Sequence, residues 1–193
     1  MKTCLVGCGG IAAVHGSVLT SGIDTEFVAA ADIKPEKAQS YAENFHTKPY
    51  PSLESMLEAE KPDVLHICTP HYLHVPMAIY SLERNINVFM EKPPAISFDQ
   101  LEELKKAAAK SEAQLGFCYQ NRYNASIRAA KDLIDSGKAG KVLGARAFVT
   151  WCRGAAYYTE SGWRGSLKTE GGGVLINQSV HTQDLLCFLL GDP

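Results

Sequence analysis

The sequence lacks a long basic run, a long apolar run and any close pairing of cysteines, and each absence removes a class of function. The longest basic cluster, Lys105-Lys106, sits in a stretch of alternating charge. With 19 basic against 21 acidic residues and a formal net charge of −2, neither a nucleic-acid footprint nor an electrostatic membrane anchor is expected. No apolar run reaches the length that spans a bilayer. The first one, Cys4 to Val6, gives way at once to glycines and reads as a strand rather than a secretory leader. The six cysteines show no C-x-x-C pair and no Cys/His cluster at zinc spacing. No metal site is expected, and the thiols read as reduced in a cytoplasmic protein.

What is present is ordinary globular composition, 46% hydrophobic and 21% charged over 193 residues. That length holds one full α/β domain with a core and part of something more. Strand and helix signals alternate. Strands are expected at Lys2–Val6, Glu26–Ala31, Val64–Cys68, Asn87–Met90 and Gln114–Tyr119. Helices are expected at Ile11–Thr20, Pro35–Asn44, Ser52–Glu58, Val75–Arg84 and Ser97–Lys110. Pro35 suits a first helical turn, and Ser52 and Ser97 suit caps. The strands are mostly continuous apolar runs, as a parallel sheet covered on both faces requires.

After Tyr119 the character changes. Tyr123–Ser136 reads as a helix ended by Gly137, and Lys141–Trp151 as a longer, partly alternating strand. A loop rich in Gly, Tyr and Trp (Arg153–Gly173) precedes a last helix, Val174–Leu190. One strand and one helix cannot bury a core alone. The expected architecture is α/β: a Rossmann doubly wound parallel sheet over residues 1–120, then a partial, incomplete α/β domain with a mainly antiparallel sheet over 121–193.

The first strand leads into Gly7-Cys8-Gly9-Gly10-Ile11-Ala12 and then a helix, a G-x-G-x-x-A pattern in the context that a pyrophosphate site needs. Gly7 permits the tight turn and Gly9 lets backbone approach a diphosphate. Gly10 and Ile11 open the helix whose amides face the phosphates, and small Ala12 allows close packing. Asp32, at the end of the second strand, suits a ribose 2′-hydroxyl and repels a 2′-phosphate, so NAD is expected over NADP; nearby Lys34 keeps NADP open.

Further candidates sit where strands end. Thr69-Pro70, followed by His71 and His74, lies at the edge where such sheets take ligands. Glu91-Lys92-Pro93 ends another strand, and Lys92 there can polarise a hydroxyl or carbonyl oxygen. Whether Pro93 is cis is left open. Arg122 is a candidate for positioning substrate or cofactor, while Trp163 and Arg164 either line a substrate pocket or simply pack. Asn177, His181 and Asp184 recur at helical spacing after Gly171–Gly173, glycines that permit close approach at the helix start.

Taken together, Gly7-x-Gly9-x-x-Ala12, Asp32, Thr69-Pro70, Glu91-Lys92-Pro93 and Gly171-Gly172-Gly173-Val174-Leu175-x-Asn177-x-x-x-His181-x-x-Asp184 resemble the glucose–fructose oxidoreductase/inositol dehydrogenase/rhizopine-catabolism (Gfo/Idh/MocA) oxidoreductase family. The resemblance covers essentially the whole chain. It implies a Rossmann domain joined to a C-terminal domain whose open, mainly antiparallel sheet often forms an oligomer interface, so a homo-oligomer is expected of a full-length protein. Family members are considerably longer, and this chain resembles a truncated one. The resemblance makes Lys92 and His181 the catalytic pair, with Thr69, Pro70, His74, Glu91 and Lys92 near the cofactor. It puts Lys92, Arg122, Trp163, Arg164, Asn177 and His181 near a sugar or polyol substrate. The implied reaction is hydride transfer between NAD(P) and a secondary alcohol. The family often has Asp where Asn177 stands, which points to a different substrate subgroup. A nicotinamide-binding sensor without turnover and an NAD-dependent glycosidase are the alternatives.

Overall fold

The computed structural model describes residues 1–22 and 24–191. The chain divides into two units, Met1–Phe117 and a second that begins at Cys118.

The first unit alternates strand and helix: β1 (Lys2–Val6), α1 (Gly10–Leu19), β2 (Glu26–Ala31), α2 (Pro35–Phe45), β3 (Lys48–Tyr50), α3 (Leu53–Glu60), β4 (Val64–Ile67), α4 (His74–Leu82), β5 (Asn87–Met90), α5 (Phe98–Lys110) and β6 (Leu115–Phe117). All six strands pair in parallel, in the order β3-β2-β1-β4-β5-β6. The chain works outward from β1 to β3, returns to lay β4 beside β1, and works outward again. The connections above β1 and β4 therefore diverge, which opens a crevice at their carboxyl ends.

Local chemistry fixes the helix starts. Ser52 Oγ accepts from the Ser55 N–H at 3.2 Å, and Ser97 Oγ from Gln100 N–H at 3.2 Å. Pro35 occupies the first turn of α2. Strand alternation sends Cys4, Val6, Ala29 and Ala31 to one core, with Leu65, Ile67, Val88 and Met90. Leu5 and Ala30 go to the other face, against Ala12, Tyr41 and Cys68. The strand β3 was not expected. Three residues with Pro49 at their centre survive as a strand because β3 is an edge.

The second unit holds α6 (Ala125–Asp135), α7 (Ala155–Thr159), α8 (Val174–Asn177) and α9 (Val180–Leu190). The strand expected over Lys141–Trp151 does not form, since residues 140–154 carry no regular secondary structure. The expected mainly antiparallel sheet is likewise not seen; the sheet among the described residues is parallel throughout. A strand's N–H and C=O groups need a neighbouring strand, and the described part of this unit offers none. The helix expected over Val174–Leu190 is broken in two. The Ser179 N–H donates to Val174 O at 2.8 Å, one residue beyond α-helical spacing, and the Ser179 hydroxyl donates to Leu175 O at 3.1 Å. Part of the expected loop over Arg153–Gly173 is the short helix α7. Among the described residues, no helix is long and apolar enough to cross a membrane.

Candidate functional site

In the first unit the residues at issue gather at the carboxyl ends of β1, β2, β4 and β5. Gly7 follows β1 with φ +93° and its N–H on Ala31 O at 2.8 Å. A Cβ there would sit 2.7 Å from Thr69 N and 2.8 Å from the Cys68 carbonyl, so conformation and space both demand glycine. Around Gly9 and Gly10 the opposite holds: a Cβ on either would meet nothing within 4 Å. Gly10 and half-exposed Ile11 open α1, where backbone N–H groups have no intrahelical acceptor. Ala12 is fully buried, and its carbonyl accepts the Tyr41 hydroxyl at 2.7 Å.

Asp32 leaves β2 and turns back to this loop. Its Oδ2 accepts the Cys8 N–H at 2.9 Å and its Oδ1 the Lys34 N–H at 2.9 Å. Further lone pairs of the carboxylate stay available for a hydroxyl. Thr69 follows β4, and its buried Oγ1 has no hydrogen-bond partner among the described residues. Pro70 begins a 3₁₀ turn over His71–Leu73, its carbonyl accepting Leu73 N–H at 3.0 Å. Open space over two glycines, the amides of Gly10 and Ile11 at the start of a helix, a carboxylate at the loop and an unsatisfied buried hydroxyl fit a dinucleotide diphosphate and ribose.

His74, fully buried, has Nδ1 2.9 Å from Pro93 O and Nε2 2.9 Å from Thr69 O, which clamps the β4 loop to the β5 loop. Burial pushes its pKa down, and the two carbonyl bonds oppose that shift. Lys92 is half-buried, its N–H donates to Glu91 Oε2 at 3.2 Å, and the Lys92–Pro93 peptide is cis.

Two side chains that the sequence reading missed, His15 and His66, join Glu91 beneath this edge. His15 on α1 has Nε2 3.1 Å from buried Glu91 Oε1 and Nδ1 2.9 Å from Nδ1 of His66 on β4. Burial first, and His15 second, push His66 down to about 4. A carboxylate only accepts, so His15 donates through Nε2, and its Nδ1 takes the proton offered by neutral His66. The available signal was a histidine breaking the apolar strand Val64–Ile67.

The second unit has its own polar centre. Asn177 and His181 are both buried, at 6% exposure each, despite the break between α8 and α9. Asn177 Nδ2 donates to Tyr157 Oη at 2.9 Å and also to Glu170 Oε1. Glu170, 1% exposed, accepts the Gly165 N–H at 2.7 Å through Oε2. Glu170 and Tyr157 were not singled out from sequence, although a carboxylate directly before three glycines was the cue. At Gly173 the need for glycine is conformational and not one of close approach. Gly171 and Gly173 have φ +102° and +60°, and nothing lies within 4 Å of a Cβ on Gly173.

The Tyr119 ring meets His181 edge to face at 6.3 Å. Burial, then the Asp184 charge, push the Tyr119 phenol up to about 12. Arg122 forks onto Asp184, with Nε to Oδ2 at 2.7 Å and Nη2 to Oδ1, and this bond raises the arginine's pKa. Trp163 and Arg164 are half-buried, with the Arg164 guanidinium 4.7 Å from the Trp163 ring centre.

Comparison with known proteins agrees with this geometry. Residues 1–119 match the GFO_IDH_MocA family, described as an oxidoreductase family with an NAD-binding Rossmann fold, and residues 127–193 match a GFO/IDH/MocA C-terminal domain. The chain belongs to this family. It is 28% identical over 197 residues to D-glucoside 3-dehydrogenase of Escherichia coli (strain K12), an alignment covering 100% of this chain and 55% of that protein. It is 26% identical to glucose-6-phosphate 3-dehydrogenase of Bacillus subtilis (strain 168), covering 97% and 53%. The WlbA dehydrogenase of Chromobacterium violaceum, solved in complex with NADH and UDP-GlcNAcA, superposes with a TM-score of 0.94 at 33% identity, covering 99% of this chain and 55% of that one. The chain thus spans about half the length of the curated relatives it matches.

Proposed function

We propose that this member of the oxidoreductase family acts, as part of an NAD-dependent dehydrogenase or reductase, on a secondary alcohol of a sugar, polyol or sugar derivative. The observation that carries the reading is the turn from Gly7 to Ala12, open over Gly9 and Gly10, with the Asp32 carboxylate on its Cys8 amide. Gly7, Gly9, Gly10, Ile11 and Ala12 hold the diphosphate and Asp32 the adenosine ribose. The same carboxylate disfavours a 2′-phosphate and so favours NAD over NADP. Thr69, Pro70, His74 and Glu91 shape the wall between the β4 and β5 loops. When bound, the dinucleotide supplies the carbon that takes up or gives hydride.

The chain's own residues manage the proton and the charge. His181 takes the hydroxyl proton in oxidation and returns it in reduction. Lys92 holds its ammonium toward the oxygen that becomes negative, stabilising the developing alkoxide. Asn177, its amide fixed by Tyr157 and Glu170, orients substrate hydroxyls beside His181, while Arg122, Trp163 and Arg164 border the substrate. Relatives named for a glucoside and a sugar phosphate support this substrate class.

The test is a Lys92→Met variant. Turnover with a sugar panel, read as net NADH formation, should fall by about 10²–10³ or more, as for removal of an oxyanion-stabilising donor. NADH binding, read by fluorescence, should stay within a few-fold. Full activity in the variant would refute the role of Lys92. Failure of the unaltered chain to bind either nucleotide form would refute the dinucleotide site itself. Binding without net NADH formation from any sugar would favour a sensor or a transiently oxidising glycosidase.

A further inference from the structure

Resting on the substrate-binding reading of the second unit, we propose that Arg153 and Arg164 form an anion subsite, so that the sugar substrate carries a carboxylate or phosphoryl group. Both guanidinium groups are drawn to one ring. The Arg164 Cζ lies 4.2 Å from the centre of Tyr157 and the Arg153 Cζ 5.3 Å from it. Trp163 and Trp151 add a second ring to each, at 4.7 Å and 5.5 Å.

Neither arginine forms an ion pair among the described residues. The Nε of Arg164 is buried and has no hydrogen-bond partner there. Arg122, in the same unit, shows the ordinary arrangement, with its fork closed on Asp184. Stacking on an aromatic ring occupies a guanidinium's face and leaves its N–H edge open. Two such cations around one ring repel each other, and an oxyanion that accepts from their edges relieves the repulsion and satisfies the donors together.

The subsite is tied to the proton-handling residues. The Tyr157 hydroxyl oxygen accepts from the amide of Asn177, which stands four residues before His181. Glu170, a carboxylate of the same network, accepts from the Asn177 amide and from the Gly165 N–H. An anionic substituent on Arg164 and Arg153 would fix which secondary hydroxyl of the sugar reaches His181.

The experiment is calorimetric titration of the NADH-loaded chain, at low salt, with methyl glucoside, glucuronate and glucose 6-phosphate. NADH binding is measured first on every preparation, so a failed dinucleotide site is separated from a failed subsite. At least one anion should bind about tenfold or more tightly than the neutral glucoside, the scale of a hydrogen bond to a charged group. A preference for glucuronate identifies a carboxylate, and a preference for glucose 6-phosphate a phosphoryl group. R164Q and R153Q should each erase most of that advantage, while R164K keeps the charge, loses the fork and falls between. Should R164Q lose its helical circular dichroism, R153Q, at an exposed position, carries the test alone. Anion binding that is absent or equal to that of methyl glucoside, or an advantage that survives undiminished in R153Q or in a folded R164Q, overturns the subsite.

Discussion

The deeply buried side chains of the two units are of opposite kinds. In Met1–Phe117 they are chiefly apolar, with Leu5, Met56, Leu65, Ile67 and Met90 at 0% exposure. From Cys118 onward the buried residues, among those described, are Glu170, Asn177, Gln178, Ser179 and His181. Several large apolar side chains of that unit lie outside, with Leu143 at 91%, Phe148 at 82% and Leu167 at 77% exposure, while others such as Leu185 and Phe188 are half-buried. The first unit is organised by hydrophobic burial, the second by hydrogen bonds around a carboxylate and an amide. A buried polar network contributes little net stability but fixes geometry, because every unmade bond inside it is costly. The first unit therefore behaves as a scaffold, and the second keeps a constellation in place.

The largest effect should come from cutting the scaffold. Leu65→Ala, at the centre of β4, should cost about 2–5 kcal/mol, the range for truncating a fully buried leucine. Urea unfolding followed by circular dichroism measures it. Leu175→Ala, at 68% exposure in the second unit, should stay within about 0.5 kcal/mol. Similar costs for both would erase the contrast.

A smaller effect should come from protonating His66, which belongs to the polar chain with His15 and Glu91 in the first unit. His66 is held near 4, against an ordinary 6.5. The unfolded chain therefore binds that proton more readily than the folded one. The stabilisation due to neutral His66 is whole above about pH 6.5 and is lost as pH falls through about 4, on the order of 3 kcal/mol in all. Urea melts at pH 7.5 and 4.5 should show a steeper loss in the unaltered protein than in His66→Gln. Parallel losses would mean that the proton comes from elsewhere. Glu60, lowered to about 2 mainly by the Tyr50 hydroxyl, is lost in stronger acid, and buried His74, also pushed down by burial, is common to both proteins and cancels in the comparison.

The same contrast explains what could be read in advance. In the scaffold, continuous apolar runs and caps at Ser52 and Ser97 carry their own local reasons, so strands such as Lys2–Val6 and Asn87–Met90 were legible to the residue. Proline-bearing β3 was not, because edge position, a property of the whole sheet, decides it. Glycine spacing and the end of β2 located Asp32, but not that its carboxylate closes on Cys8. The His66–His15–Glu91 chain joins β4, α1 and β5, and no window of sequence contains it. In the second unit, helical periodicity put Asn177 and His181 on one face but hid the break at Ser179 and the partners Tyr157 and Glu170.

The smallest expected effect sharpens the comparison most. Leu143, Ala145, Ala147, Val149 and Trp151 alternate as a half-buried strand would, yet residues 140–154 form none, and Phe148 between them stands 82% exposed. A side chain that is exposed when folded loses little on truncation, because its contact with water hardly changes. Phe148→Ser should therefore shift the unfolding free energy by less than about 0.5 kcal/mol. It should also reduce self-association in sedimentation, since exposed apolar segments of strand-like pattern pair with one another. A cost above about 2 kcal/mol, the scale of a buried aromatic side chain, would show that Phe148 is covered in solution. The second unit would then have an apolar interior after all, and its polar cluster would lose its standing as the organising feature.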